Sequence, residues 1–243
     1  MSSAPFSDQN SLDELISLAE KKFKLSFEPI SIGSNHLELV QIADMDSYID
    51  HLAETCNQEQ GLQLPFWARV WPTSILLSYY VQRLPASSDS TLLEIGAGIG
   101  LCGLIAAQQG FKVTITDNNE DALLFAQINI LKNKLAQNAK IAKLDFCTDS
   151  MSSRYFYILG SEILYREETY EPLIDFLEQH IALQPEAEII LARNYKRNEN
   201  NFFKLARPKF KIQEQHIGYK SQSDSNSGQE KQLSTIYRLR PQI

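Results

Sequence analysis

A glycine-rich segment between an apolar strand pattern and an apolar helix pattern constrains the fold of this chain most strongly. The run Thr91–Ile95 is predicted to be a buried strand, and Gly96, Gly98 and Gly100 separate it from the following helix pattern. Glycines there allow a tight turn and close approach to a ligand, next to the unpaired N–H groups of a helix start. Asp117 closes the next strand pattern, 21 residues after Gly96, where a carboxylate accepts both hydroxyls of a ribose. The segment therefore predicts a nucleotide site.

Strand and helix patterns alternate beyond this segment, which indicates an α/β fold with a mostly parallel sheet. The predicted strands of this sheet lie at 91–95, 112–116, 139–144, 156–159 and 188–192. The predicted helices lie at 11–22, 45–54, 73–84, 101–109, 120–135 and 170–179. Two further strand patterns, at 210–216 and 233–239, flank a polar loop at 221–229. They predict an antiparallel C-terminal hairpin at the sheet edge.

The residues before the α/β pattern are predicted to form an N-terminal α+β extension. Ser11 and Glu14 have the spacing of a capping box, which starts a short helix. Alternating apolar residues on both sides of Gly33 predict a β-hairpin. We therefore divide the chain into an extension over residues 1–64, which would act as a cap, and an α/β domain over residues 65–243.

Charge and composition exclude several function classes. Lys and Arg number 23 against 30 Asp and Glu, a net charge of −7, which disfavours stable binding to a nucleic-acid backbone. No apolar stretch approaches the roughly 18 residues of a membrane span. The 3 cysteines and 4 histidines lack metal-ligand spacing, so no metal site is predicted, and the histidines are interpreted as surface or loop residues. The default compartment is the cytoplasm. The basic residues between Arg193 and Lys211 indicate a solvated face or a docking surface for an acidic partner.

The glycine pattern alone leaves two nucleotide classes open. Gly98, Gly100 and Gly103 also match the dinucleotide fingerprint. Glu94, two residues before Gly96, argues against an anionic pyrophosphate and favours a cationic ligand, because opposite charges attract in a partly buried site. About 90 residues also precede the first strand of the α/β pattern, whereas dinucleotide domains commonly begin with it.

The motif Glu94-x-Gly96-x-Gly98-x-Gly100 resembles motif I of the class I, S-adenosylmethionine-dependent methyltransferases. Asp117 matches the ribose-binding acid of that superfamily, and the C-terminal hairpin is similar to the strand pair that closes its seven-stranded Rossmann-like sheet. The resemblance implies methyl transfer with S-adenosyl-L-methionine as the cofactor.

Four further segments resemble the protein-lysine methyltransferases of this superfamily that carry an Asp-x-x-Tyr motif. They are Val70–Pro72, Leu144–Phe146, Gly160–Tyr165, and Leu191–Arg197 followed by Phe202 and Phe203. Phe146 replaces the tryptophan of the family's Asp-Trp pair, which keeps a stacking face but loses the indole N–H. Glu162 stands where the family motif has aspartate, which keeps the charge and moves the carboxylate about one methylene further out. The proline-rich motif of base and glutamine methyltransferases is absent here.

The narrower resemblance implies a protein-lysine acceptor and assigns the site residues. Glu162 and Tyr165 would orient the amine at the catalytic centre. The implied cofactor-binding residues are Trp71, Glu94, Gly96, Ala97, Gly98, Gly100, Asp117, Asp145, Phe146 and Ser161. A small-molecule methyltransferase and a non-catalytic adaptor with the same fold stay open as alternatives. The acceptor protein, the number of methyl groups and the oligomeric state do not follow from these patterns.

Overall fold

A seven-stranded sheet and a separate two-stranded hairpin organise the chain. The computed structural model describes Phe6 and residues 9–55, 64–86, 90–194, 200–220 and 231–242. The strands are β1 (Leu25–Ile32), β2 (Asn35–Ile42), β3 (Thr91–Ile95), β4 (Lys112–Asp117), β5 (Ala139–Lys143), β6 (Tyr157–Ser161), β7 (Glu188–Asn194), β8 (Phe210–Lys220) and β9 (Lys231–Pro241). The helices are α1 (Leu12–Glu20), α2 (Met45–Thr55), α3 (Pro72–Val81), α4 (Leu101–Gln108), α5 (Glu120–Lys132), α6 (Tyr170–His180) and α7 (Asn200–Ala206).

The large sheet has the strand order β5-β4-β3-β6-β7-β9-β8. Strands β3 to β7 are parallel to one another, while β9 runs antiparallel to both β7 and β8. This confirms the predicted α/β fold, with its mostly parallel sheet and antiparallel C-terminal hairpin. The predicted loop at 221–229 lies outside the described residues. Among the residues that the structure describes, buried side chains form two hydrophobic clusters.

All six predicted helices are present, and the differences occur at their ends. Helix α5 stops at Lys132 because Lys134 takes a left-handed conformation, with φ of 58°. The N–H of Leu135 then donates to the carbonyl of Ile130 at 2.9 Å, the closing bond of a Schellman motif. Helix α3 likewise ends at Val81, before the predicted end at residue 84. The short helix α7 has no counterpart among the predicted elements.

The N-terminal elements pack on the large sheet's helical layer through α5. The Ser11–Glu14 capping box is present, and β1 and β2 form the predicted hairpin. Asn129 of α5 accepts a hydrogen bond from the Val40 N–H at 2.8 Å and donates to the Ile99 carbonyl at 3.1 Å. This fully buried amide therefore ties the hairpin to the glycine turn itself. The extension shares one hydrophobic cluster with the sheet, and the division at residue 64 stays a prediction.

Replacement of Asn129 tests this connection. We expect Asn129→Ala to lower the free energy of unfolding by about 2 kcal/mol, because a buried N–H and a buried carbonyl lose their partners. Urea unfolding measures the change. Asn133→Ala is the matched control, since the half-buried Asn133 makes similar bonds to the Glu38 backbone where solvent can replace them. Equal losses in the two variants would contradict the role of Asn129.

Candidate active site

The predicted site residues meet at the carboxyl ends of the parallel strands. In the sheet order, β3 lies between β4 and β6, so the segments after these three strands are neighbours. The glycine turn follows β3, Asp117 ends β4, and Glu162 follows β6. Ligands of open α/β sheets bind outside the carboxyl ends of the strands, at the point where the strand order reverses. The sheet therefore brings the predicted carboxylates to the two sides of the glycine turn.

The glycine turn needs glycine on conformational and steric grounds. Gly96, Gly98 and Gly100 have φ values of 58°, 55° and 84°, in the left-handed region that other residues seldom adopt. A Cβ atom on Gly98 would lie 2.6 Å from the carbonyl oxygen of Trp67. The N–H of Ala97 donates to the Thr116 carbonyl at 3.0 Å, which anchors the turn to β4.

Asp117 faces the glycine turn and is held by backbone donors. Its Oδ2 accepts from the Gly98 N–H at 2.8 Å, and its Oδ1 accepts from the Asn119 N–H at 2.9 Å. Burial raises the pKa of Asp117, and the hydrogen bonds from the Asn119 and Gly98 backbones oppose this effect. The carboxylate is thus fixed beside the turn, at the position predicted for ribose binding.

Glu94 is directed at the start of helix α4. Its side chain is 3% exposed, and Oε2 accepts from the Gly103 N–H at 2.7 Å. Burial raises the pKa of Glu94 to about 7, partly offset by this hydrogen bond. The bond from the Gly103 N–H places the Glu94 carboxylate at the start of α4 and stabilises that end of the helix. The geometry therefore gives no support to the argument that Glu94 attracts a cationic ligand. Contact between Glu94 and the cofactor stays a prediction.

The raised pKa of Glu94 predicts a pH-dependent stability. Between its ordinary value of 4.5 and about 7, the unfolded state releases the Glu94 proton while the native state retains it. The free energy of unfolding therefore falls as the pH rises through this range, by about 3 kcal/mol at roughly 1.36 kcal/mol per pKa unit. Glu94→Gln removes this contribution and keeps an oxygen for the Gly103 N–H.

Urea unfolding between pH 5 and 7 measures this dependence. We expect a flatter profile for Glu94→Gln than for the wild-type protein. The raised pKa of Asp117 acts in the same direction, so Glu94→Gln should flatten the profile without reversing it. Glu171→Gln, a change on an exposed face of α6, should leave the profile unaltered. Identical slopes for Glu94→Gln and the wild-type protein would contradict the account.

Glu162 has an unusual backbone conformation, and its carboxylate accepts hydrogen bonds from two other elements. Its φ of 57° is left-handed, which for a non-glycine residue is a strained state that concentrates at functional sites. Oε1 accepts from the Thr73 hydroxyl of α3 and from the Asn194 N–H at the end of β7, each at 2.8 Å. The Glu162 carboxylate therefore connects β6, α3 and β7 at the carboxyl ends of the parallel strands.

Ser161 and Tyr165, on either side of Glu162, differ in their surroundings. The Ser161 Oγ atom is buried and has no hydrogen-bond partner among the described residues, which is a costly arrangement unless a ligand supplies one. The side chain of Tyr165 is 66% exposed. Tyr165 is therefore open to a large partner, while Ser161 faces the interior.

Asp145 and Phe146 follow β5 in a turn. Oδ1 of Asp145 accepts from the Cys147 N–H at 2.9 Å, and the Asp145 N–H donates to Asp149 at 2.9 Å. The structure thus gives Asp145 a turn-forming role, and adenine contact stays a prediction. Phe146 is half-buried against the hydrophobic cluster under this end of the sheet.

Three aromatic residues precede α3. Trp71 is the N-cap residue of α3, and its indole N–H donates to the Phe66 carbonyl at 2.9 Å. Trp67 packs edge-on against Phe23 and Phe125, with ring centroids 5.7 and 5.0 Å away. Phe66 is 60% exposed. Trp67 is therefore a packing residue, whereas Phe66 makes its ring contact with Trp71, with the centroids 6.0 Å apart.

Two other interpretations are wrong in the structure. Arg193 is buried rather than part of a solvated basic face, and its guanidinium donates to the Tyr237 hydroxyl at 2.6 Å. His180 is buried rather than a surface or loop histidine; Nε2 lies 2.8 Å from the Met151 N–H. In both, long-range partners make burial possible for a polar side chain. Lys196 and Arg197 lie outside the described residues.

Within the described ranges, no helix is long and apolar enough to cross a membrane. The same part of the chain contains no cluster of three or more histidine, cysteine or acidic side chains suited to a metal ion.

Comparison with known proteins identifies the family. A family model described as lysine methyltransferase matches residues 53–209. Protein N-lysine methyltransferase METTL21A of Danio rerio is 33% identical over 165 residues, covering 65% of this chain and 73% of that protein. EEF1A lysine methyltransferase 3 of Mus musculus is 33% identical over 140 residues, covering 56% of this chain and 59% of that protein.

Solved structures support the fold. N-methyltransferase NodS of Bradyrhizobium japonicum, in complex with S-adenosyl-L-homocysteine, has a TM-score of 0.54 at 15% identity, covering 82% of this chain and 100% of that chain. A SAM-dependent methyltransferase of Agrobacterium tumefaciens has a TM-score of 0.57 at 17% identity, covering 89% and 71%.

The chain belongs to the lysine methyltransferase family. The predicted enzyme class, a methyltransferase that uses S-adenosylmethionine and methylates lysine, is confirmed at the level of the family.

Proposed function

We propose that this member of the lysine methyltransferase family methylates the ε-amine of a lysine in another protein. The observation that carries the proposal is the placement of two carboxylates beside one turn. Asp117 ends β4 and Glu162 follows β6, and these strands flank the strand that leads into the glycine turn. One carboxylate is then available for the cofactor and the other for the acceptor.

The residues near the glycine turn fit S-adenosylmethionine. Asp117 has acceptor capacity beyond its two backbone bonds, since a carboxylate offers about four acceptor positions. The buried Ser161 Oγ lacks a partner among the described residues and would bind a polar group of the ligand. We assign cofactor binding to Trp71, Glu94, Gly96, Ala97, Gly98, Gly100, Asp117, Asp145, Phe146 and Ser161. S-adenosylmethionine supplies the methyl group when bound.

Glu162 and Tyr165 are assigned to the acceptor. A lysine ε-ammonium, with an ordinary pKa of about 10.4, must lose a proton before its nitrogen has a lone pair. The Glu162 carboxylate would attract the ammonium and accept its N–H hydrogens, which directs the nitrogen lone pair after the proton leaves to water. The exposed ring of Tyr165 would contact the charged amine by a cation–π interaction, worth about 0.5–2 kcal/mol.

The exposure of two aromatic side chains, Tyr165 and Phe66, favours a protein acceptor over a small molecule. Tyr165 and Phe66 are 66% and 60% exposed, whereas small-molecule pockets enclose most of their ligand. The names of the two relatives also specify lysine methylation, and one specifies EEF1A as its target. The N-terminal residues 1–64 would cap the acceptor channel.

Transfer of a tritiated methyl group from S-adenosylmethionine into a cell lysate tests this choice. We expect the label in the protein fraction, and we expect prior acetylation of the lysate lysines to abolish it. Label confined to the small-molecule fraction would favour the metabolite methyltransferase instead. Binding of cofactor without transfer to either fraction would favour the non-catalytic adaptor.

We also propose a cytoplasmic location, because the thiols of Cys102 and Cys147 are free, which suits a reducing compartment. Microscopy of the tagged full chain, together with fractionation, tests it. We further propose that the acidic chain binds no nucleic acid or membrane stably.

A further inference from the structure

Thr73 lies in the first turn of α3 and points at the candidate acceptor site. Its side chain is 3% exposed, and its hydroxyl donates to Glu162 Oε1 at 2.8 Å. The two residues are 89 positions apart in the chain. A buried hydroxyl bonded to a carboxylate is a charge-assisted hydrogen bond, which is stronger than a bond between neutral groups.

The direction of the Glu162 carboxylate depends on donors from two sides. Thr73 donates from α3, and the Asn194 N–H donates from the end of β7, both to the same oxygen. The Glu162 N–H donates to the Ala192 carbonyl at 2.9 Å, so β7 holds its backbone as well. Of these contacts, only the bond from Thr73 comes from a side chain and from outside the sheet.

We propose that Thr73 is a positioning residue for methyl transfer: its hydroxyl holds the Glu162 carboxylate in the orientation that the acceptor amine requires. This inference rests on the proposed function of Glu162. Without the hydroxyl, the Glu162 carboxylate loses the donor that directs it from the side of α3. A Glu162 carboxylate that points in the wrong direction misplaces the acceptor amine. The misplacement lowers the rate of methyl transfer more than it weakens the binding of the cofactor or the acceptor.

Thr73→Val isolates the hydroxyl, because valine keeps the β-branched side chain and replaces the hydroxyl by a methyl group. We expect the kcat of Thr73→Val to fall about 10-fold. We expect its KM for S-adenosylmethionine, and the Kd for S-adenosylmethionine measured by calorimetry, to stay within about threefold of the wild-type values. Thr73→Ser restores the donor and should recover most of the rate. Thr114→Val is the matched control, since Thr114 is also 3% exposed and lies in the middle of β4.

Rates of Thr73→Val that equal those of Thr114→Val would overturn the inference. So would equal losses in Thr73→Val and Thr73→Ser, because they would show that packing and not the hydroxyl matters.

A double-mutant cycle tests the contact without an activity assay. Urea unfolding of Thr73→Val, Glu162→Ala and the double variant should give a coupling of about 10-fold in the unfolding equilibrium constant. If the changes in the free energy of unfolding are additive and the wild-type protein transfers methyl groups normally, the role of Thr73 is contradicted and the proposed function is not. Coupled effects, together with no methyl transfer by the wild-type protein, would contradict the proposed function and confine the contact to stability.

Discussion

Replacement of Asp117 by alanine is expected to weaken S-adenosylmethionine binding about 1,000-fold. The change removes the carboxylate proposed to accept two ribose hydroxyls, and each bond to a charged acceptor contributes roughly 1.5–3 kcal/mol. It also leaves the Gly98 and Asn119 N–H groups without their acceptor, which loosens the glycine turn. Both effects act on cofactor affinity.

Calorimetry with S-adenosylmethionine and S-adenosylhomocysteine measures the Asp117→Ala effect, and NAD serves as a control ligand. Asp175→Ala makes the same chemical change on α6, where Asp175 forms an exposed ion pair with Lys209. This variant should bind S-adenosylmethionine normally. A thermal unfolding scan verifies that each variant is folded. Wild-type affinity in Asp117→Ala would show that the carboxylate at the end of β4 does not hold the cofactor.

Replacement of Glu162 by alanine is expected to lower kcat about 1,000-fold while cofactor affinity stays within about threefold. The carboxylate stands on the β6 side of the glycine turn, away from Asp117, and loss of one preorganised group that orients a reactant and stabilises its charge costs about 100- to 1,000-fold in rate. Alanine at φ of 57° keeps the backbone strain similar, so the loss reports on the carboxylate.

Steady-state kinetics and calorimetry on the same preparation separate the two effects of Glu162→Ala. Glu171→Ala, an exposed change in the first turn of α6, is the control for loss of an acidic residue nearby. Equal loss of cofactor affinity in Glu162→Ala and Asp117→Ala would make the assignment of Glu162 to the acceptor wrong.

The parts of the fold that depend on local chemistry were predictable from the chain. The capping box of Ser11 and Glu14 fixes a helix start within four residues. The glycine turn and Asp117 lie in one strand-turn-helix-strand unit, where the positions of glycine and acid follow directly from the turn geometry. The resemblance to class I methyltransferases then supplied the number of strands in the sheet and the cofactor class.

Contacts between distant segments were not predictable from local patterns. Glu162 bonds to Thr73 and Asn194, which are 89 and 32 positions away, and no residue pattern marks Thr73 as a donor. Arg193 and His180 read as exposed polar residues because their buried partners come from other elements. The direction of Glu94 toward α4 likewise depends on the helix packing above the strand.

The most direct test of the central claim is the identity of the methylated amino acid. The full chain is incubated with tritiated S-adenosylmethionine and lysate protein, and the protein is then hydrolysed to amino acids and separated. The account predicts label in methylated lysine, with greatly reduced amounts for Asp117→Ala and Glu162→Ala. Label in methylated arginine or histidine, or methylated lysine at wild-type amounts with Glu162→Ala, would contradict it.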